Sequence, residues 1–401
     1  MTGREQPLRL LFVSAARRWT GGERCMVAVA SGLARRGHAV LFAGDPRGPL
    51  LERLGPGVRR HAVRIRNDVD LAALWRLRGL AHRHAADGVC VNTFRELKLG
   101  GLAARLGGCA GVVNRMGTTD ALYGGARERA IYGALLDVLV RDSEWGCRRV
   151  RRDNPWLASP VLLARNGIDA ERVAGVAPLD RESLGADEAE VLVAVMGRGS
   201  AAYGTALAAS LRATVEERTL AADQPGPPLI RLVFVGDPGP AAEAGIRAVL
   251  PGEGPVRASL LGRRSPEDAQ RALAACDLLA RPSVTDGTAF AVLDAMALGK
   301  PVVAAAAGGL AELVVDGQTG RLVPLEGPRA MALALIELAA DPALRRRLGE
   351  AGRLRVRREF GEERMLDAYE AAFRLAAGHG RSRLASHAIA QASPAARSQL
   401  K

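Results

Sequence analysis

A dozen short apolar runs, spaced along 401 residues and separated by amphipathic stretches, constrain the fold of this chain more than any other feature. In the first half they fall at 8–14 (LRLLFVS), 39–43, 88–92, 111–114, 138–141 and 160–164, with a helix over about 23–36 after a glycine-bearing loop. A second series follows at 190–197 (EVLVAVMG), 229–236 (LIRLVFVG), 256–260, 277–283, 300–305 and 320–325, and helices fill 327–377. Strands alternating with helices argue for α/β architecture built on parallel sheets. The spacing predicts an N-terminal domain over 1–170, a mixed Gly- and Pro-bearing linker over 171–188 and a C-terminal domain over 189–360. A helix over 361–377 is expected to cross back to the first domain. The tail 378–401, with almost no bulky apolar residues, is expected not to fold. The fold class is two doubly wound, Rossmann-like domains facing across a cleft, where ligands bind beyond the carboxyl ends of the strands.

Charge separates the halves. Residues 1–170 hold 28 basic against 15 acidic side chains, whereas the remainder balances 28 against 28. Either the first half meets an anionic partner (membrane surface, acidic acceptor or nucleic acid), or its arginines coat solvated helix faces. Two segments combine Trp with Arg, at 71–86 and 145–156, and each reads as an interfacial membrane helix or as an ordinary packed amphipathic element. Few aromatics are available to stack on bases, which disfavours nucleic acid. The five cysteines are scattered without metal-ligand spacing and read as reduced thiols of a cytoplasmic protein. No apolar run reaches the roughly 20 residues of a membrane span, so any membrane contact is expected to be peripheral, on the inner face of the cytoplasmic membrane.

The chemistry concentrates in residues 281–320, RPSVTDGTAFAVLDAMALGKPVVAAAAGGLAELVVDGQTG. Asp286 and Asp294 are eight residues apart. On one helix they would be separated by about 12 Å of rise and about 80° of rotation, so that both could face a cleft. A helix N-terminus between them would favour a diphosphate. The plain alternative is an acidic N-cap at Asp286 and an exposed Asp294.

The ordered set SPEDAQRALAACDLLARPS, DG with a second acid eight residues on, AMALGKPVV, GGLAELV and DGQTGRLV resembles the donor-binding half of GT-B glycosyltransferases of family 4. The GG pair at Gly21 and Gly22, RNGID at 165–169 and GR at 197–198 recur at similar intervals. The resemblance implies a retaining transferase that moves a sugar from a nucleotide diphosphate donor to an acceptor held by the first domain. It places Asp286 on sugar hydroxyls and Asp294 on the ribose, with the backbone of Gly287, Thr288 and Ala289 cradling sugar or phosphate. Gly197 and Arg198 would meet the diphosphate, Arg198 stabilising its developing charge. Gly21 and Gly22 would let the first-domain loop approach the same phosphates. Arg198 and Asp286 are thus the catalytic candidates, Arg115 and Asn92 the candidates for acceptor or sugar contact. Neither metal nor other cofactor is implied.

The pattern is also departed from. Both acidic positions carry aspartate where the family has glutamate, and Tyr203 stands where a lysine is common, leaving Arg165 and Arg263 as candidate replacements. His38 reads as a structural turn residue, while His61, His82 and His84 lie in basic surroundings expected to be exposed. Glu312 either supports its loop or is solvated. The expected function is glycosyl transfer in cell-envelope glycan or lipopolysaccharide-type assembly; the alternative is a degenerate homologue that binds nucleotide-sugar or glycan without turnover.

Overall fold

The computed structural model describes residues 6–117, 122, 124–196, 200–220, 228–282, 289–325 and 327–391, the side chains of 200–202 and 380–391 aside. The chain divides into two compact units, Met1–Arg165 with Glu362–Lys401, and Asn166–Gly361.

The first unit is built on a parallel sheet of β1 (Arg9–Ser14), β2 (Ala39–Gly44), β3 (Arg59–Ala62), β4 (Gly88–Val91), β5 (Gly111–Met116), β6 (Val138–Arg141) and β7 (Val161–Leu163), in the order β3-β2-β1-β4-β5-β6-β7. β1 shows why these runs are apolar throughout. Leu10 and Phe12 point to one face, where Phe12 stacks on Phe42 at 5.9 Å and meets Phe373 edge-on at 5.7 Å. Leu11 and Val13 join the opposite cluster with Leu74 and Leu77 of helix Leu71–Arg83. A parallel strand covered on both faces has no solvated side to carry polar residues.

The second unit repeats the plan with β8 (Val191–Met196), β9 (Ile230–Val235), β10 (Val256–Leu260), β11 (Leu278–Arg281), β12 (Val302–Ala305) and β13 (Gly320–Val323), in the order β10-β9-β8-β11-β12-β13. Strand order therefore reverses between β1 and β4 in one sheet and between β8 and β11 in the other. Both units are doubly wound.

Three expectations are corrected. β3 (RRHA) has no counterpart among the apolar runs, because it is an edge strand with all four residues exposed. The segment 171–188 folds into the second unit instead of linking two: Leu179 donates its N–H to Arg271 O at 3.1 Å, and Leu184 is buried. The helix expected to stop at 377 runs as Glu362–Gln391, belonging to the first unit. Its packed turns supply the nucleus, and extending a nucleated helix through Ala, Arg, Leu and Ser adds one hydrogen bond per residue ordered. Residues 392–401 lie outside the described residues. Among the described residues, no helix is long and apolar enough to cross a membrane.

The histidines also sort differently. His61 and His82 are exposed and His38 accepts from Leu8 N–H at 3.0 Å, but His84 is buried. Its Nδ1 accepts from Arg59 Nη2 at 2.6 Å, so Nε2 carries the proton donated to Ala39 O at 3.0 Å, which ties β3 to its neighbours. Burial pulls the His84 pKa below the ordinary histidine value; the Ala39 carbonyl opposes this and the Arg59 charge adds to it. A folded-state pKa below the unfolded value of about 6.5 means that His84 contributes stability above that pH, lost as pH falls through the folded value. Urea unfolding at pH 7.5 and pH 5 is expected to show a drop in stability that His84→Gln reduces; equal drops in both proteins would remove His84 from the acid sensitivity.

Candidate active site

In the first unit the residues following β1 and β4 converge at the reversal of strand order. β1 leads into helix Gly21–Arg35, capped by Thr20, whose hydroxyl accepts from Gly22 N–H at 3.3 Å and donates to Glu23. β4 ends one residue before Asn92. A Cβ on Gly22 would lie 2.8 Å from Asn92 Nδ2 and 3.1 Å from Arg115 Nη1. A side chain here would have to displace the ends of these two residues, which fill the space beside the helix start. Asn92 is positioned from both sides: its Oδ1 accepts from Arg115 Nη1 at 3.2 Å and its Nδ2 donates to Glu23 Oε1 at 3.4 Å.

Glu96 holds this corner together and was not among the expected site residues. Its Oε1 accepts from Ala15 N–H at 2.6 Å, and its Oε2 accepts from Asn92 and Thr93 N–H at 2.9 and 3.0 Å. One buried carboxylate thus joins the loop after β1 to the turn after β4. Burial pushes its pKa up, against the N–H donors of Ala15 and Asn92. The available signal was the capping box Thr93-x-x-Glu96.

Arg115, on β5, is almost wholly buried, with Asp142 Oδ2 3.7 Å from Nη2. Burial opposes its charge, but Cys25, Tyr369 and Asp142 more than offset that and raise its pKa. The guanidinium stays protonated, a fixed positive charge inside a cluster that also holds Glu23, Glu96 and Asp142.

In the second unit the reversal falls between β8 and β11. Arg281, at the end of β11, donates to Met196 O at the end of β8. Gly197, Arg198, Asp286, Gly287 and Thr288 lie outside the described residues. Ala289 is the N-cap of helix Phe290–Ala297, and its side chain caps nothing. The helix thus starts at Phe290, so the eight-residue spacing of Asp286 and Asp294 does not place both on one helix, and the expected rise and rotation between them do not apply. Asp294 is 3% exposed, and Gln270 of helix Pro266–Ala275 donates to its Oδ2 at 3.2 Å. Gln270 carried no sequence signal, being 24 residues away on another helix.

The GKPVV motif has a folding role. Helix Phe290–Ala297 ends with Lys300 N–H on Ala295 O at 2.8 Å and Gly299 N–H on Met296 O at 2.9 Å, with Gly299 at φ +69°. This is the paired hydrogen bonding of a Schellman cap. Burial pulls the Lys300 ammonium below the usual lysine range, with Asp277 opposing. Tyr203 lines an apolar pocket with Leu207, Pro282, Ala305, Pro324 and Met331. Of its candidate replacements, Arg165 pairs with Glu144 at 2.8 Å in the first unit and Arg263 is exposed. Glu312 is half-buried, its carbonyl accepting from Arg355 at 3.0 Å. Among the described residues, no group of three or more His, Cys, Asp or Glu is placed to hold a metal ion.

Two family models match the chain, one for glycosyltransferase family 4 over residues 19–172 and one for glycosyl transferases group 1 over residues 206–341. Among curated relatives, a D-inositol 3-phosphate glycosyltransferase of Corynebacterium diphtheriae is 34% identical over 138 residues, covering 31% of this chain and 32% of the relative. An uncharacterized glycosyltransferase of Methanocaldococcus jannaschii is 36% identical over 94 residues, 23% and 27% of the two chains. The matches thus span a third or less of these relatives' lengths. Among solved structures, HepE of Anabaena in complex with UDP and glucose is similar at TM-score 0.69 and 18% identity, over 91% of this chain and 98% of that one. Sucrose-phosphate synthase of Thermosynechococcus elongatus is similar at TM-score 0.70 and 20% identity, over 92% and 98%. These likenesses show the fold, GT-B, with two parallel-sheet Rossmann-like units. With both family models matched in order along one chain, this protein belongs to the group 1, family 4 glycosyltransferases.

Proposed function

We propose that this chain transfers a sugar from a nucleotide diphosphate donor to a glycan or glycolipid acceptor, with retention of anomeric configuration, in cell-envelope or lipopolysaccharide-type assembly. The observation that supports the reading is that both sheets are doubly wound, with Gly22, Asn92 and Arg115 converging beside the β1–β4 reversal of one and the helix that carries Asp294 following β11 at the reversal of the other. Ligands of such sheets bind at that point. The curated relatives named as sugar transferases and the UDP complex of HepE support a nucleotide-sugar, with a UDP-sugar the first to try. In this reading Asp286 and Asp294 hold the sugar and ribose hydroxyls, the backbone of Gly287, Thr288 and Ala289 cradles the donor, and Gly21, Gly22, Gly197 and Arg198 meet the diphosphate. Arg115 and Asn92 contact the acceptor or sugar. Arginine and backbone N–H groups, not a metal, carry the diphosphate charge. The basic first unit meets an anionic membrane surface on the cytoplasmic side.

The test is a screen of UDP-, GDP- and ADP-sugars by thermal shift, followed by nucleotide release. One donor class is expected to raise the melting temperature, because it binds only the native state. That donor is expected to release nucleotide in a reaction that Asp286→Ala abolishes and a chelator leaves unchanged. Stabilisation with no release across the panel, acceptors included, would overturn transfer in favour of binding without turnover.

A further inference from the structure

Among the described residues, every exposed large apolar side chain of the first unit lies in one place. Val69 is 72% exposed, Leu71 67% and Trp75 58%, leading into and along helix Leu71–Arg83. Leu102 and Leu106, 39% and 47% exposed, lie on the neighbouring helix Leu102–Leu106. Arg78 joins the two helices: its guanidinium covers the Trp75 ring at 5.2 Å, and its Nε donates to Leu106 O at 3.1 Å. Leu71 and Trp75, four residues apart, share the helix face turned away from the buried Ala73, Leu74 and Leu77. The rim is cationic. Among the described residues Arg76, Arg78 and Arg83 have no acidic partner, whereas Arg95 and Lys98 nearby are both bound to Asp68.

The second Trp–Arg segment lacks this character. On helix Glu144–Asp153, Arg148 pairs with Glu144 and Arg149 and Arg152 pair with Asp153. Trp145 lies under Arg149 at 5.0 Å, and Trp156 packs against Tyr132 at 5.7 Å. Three of its four arginines share two carboxylates, Arg151 donates to Val161 O at 2.7 Å, and both tryptophans are half-buried, so no large apolar side chain stands exposed beside the charge. Only the first segment joins uncovered apolar bulk to unpaired positive charge, the combination that inserts into a headgroup boundary and is held there by anionic lipid.

We propose that the surface of helices Leu71–Arg83 and Leu102–Leu106 docks this protein on an anionic bilayer, with Val69, Leu71, Trp75, Leu102 and Leu106 entering the interface and Arg76, Arg78 and Arg83 meeting lipid phosphates. This deepens the reading that the basic first unit meets a membrane, and it specifies which surface does so. The full chain is to be sedimented with vesicles of phosphatidylcholine alone and with about one-third phosphatidylglycerol. Binding is expected to be at least about tenfold stronger to the anionic vesicles, to weaken with salt, and to shift tryptophan emission to the blue in a way Trp75→Phe removes. Arg76→Gln with Arg83→Gln is expected to cost about fivefold per charge, and Leu71→Ser with Trp75→Ser to abolish binding. All four residues are exposed or rim positions, so the variants should melt with the parent, and nucleotide release without vesicles should be unchanged. Equal binding to both vesicles, or binding indifferent to these variants, would overturn the proposal. So would loss of self-association in the Trp75 variant without any vesicle binding, which would mark a protein interface. Vesicle binding without nucleotide release would overturn transfer while leaving the docking surface intact.

Discussion

Replacing Gly349 by alanine is expected to destabilise the second unit by about 1–3 kcal/mol, the range of overpacking a close contact. By helix propensity alone the change should stabilise by about 1 kcal/mol, since Gly349 lies inside helix Pro342–Glu359. The sign reverses because an added Cβ would lie 1.9 Å from Gly299 O and 2.7 Å from its carbonyl carbon. That carbonyl cannot swing aside. It belongs to the Schellman turn, where Gly299 is held at φ +69° and both flanking hydrogen bonds are made. Gly133, exposed inside helix Ala126–Leu135 with nothing within 4 Å of an added Cβ, is the matched control, and Gly133→Ala should stabilise by about 0.5–1 kcal/mol. All four tryptophans lie in the first unit, so far-UV circular dichroism should register the loss in Gly349→Ala more strongly than tryptophan fluorescence does. A Gly349→Ala protein as stable as the parent would mean that the helix does not cross the turn this closely.

Arg198→Ala is expected to lower kcat by about 10²–10³, with a smaller change in KM, the loss seen when one charge-stabilising donor is removed from a transition state. This loss follows from the proposed transfer. Breaking the glycosidic bond leaves negative charge on the departing diphosphate, and a cation aimed there is worth more in the transition state than in the bound donor. With Tyr203 at the position where a lysine would share that task, and Arg165 already paired with Glu144, the proposed transfer assigns more of it to Arg198. Arg198→Lys should recover part of the rate, keeping the charge but losing the planar fork that matches phosphate oxygens. Steady-state nucleotide release distinguishes the cases. A higher KM at unchanged kcat would make Arg198 a binding residue that acts equally on ground and transition states.

How much was legible depended on how far each signal travels along the chain. The twelve apolar runs all became strands, the central ones because burial on both faces writes itself into consecutive residues and the partly buried edge strands β7, β10 and β13 because they keep an apolar inner face. β3 escaped because an exposed edge strand needs only backbone pairing, and RRHA records none of it. The helix start moved from Asp286 to Phe290 because its N-cap, Ala289, has no capping side chain to mark it. Asp294 was recognisable from its motif, but the amide that holds it, Gln270, belongs to another helix. His84 was misjudged because its neighbours in sequence are basic, while its partners in space are Ala39 O and Arg59.

By itself, the sequence determined the parallel α/β class, the two doubly wound units and the motif residues of a family 4 glycosyltransferase, since each is encoded in local apolarity, turn chemistry or short spacing. Only the tertiary structure decided which residues meet: Gly22 with Asn92 and Arg115, Glu96 across two loops, Gly349 on Gly299, and Trp75 beside Leu106 through Arg78. Such contacts depend on the packing of elements tens of residues apart. A buried charge or a missing Cβ there answers to neighbours in space that no window of the sequence contains.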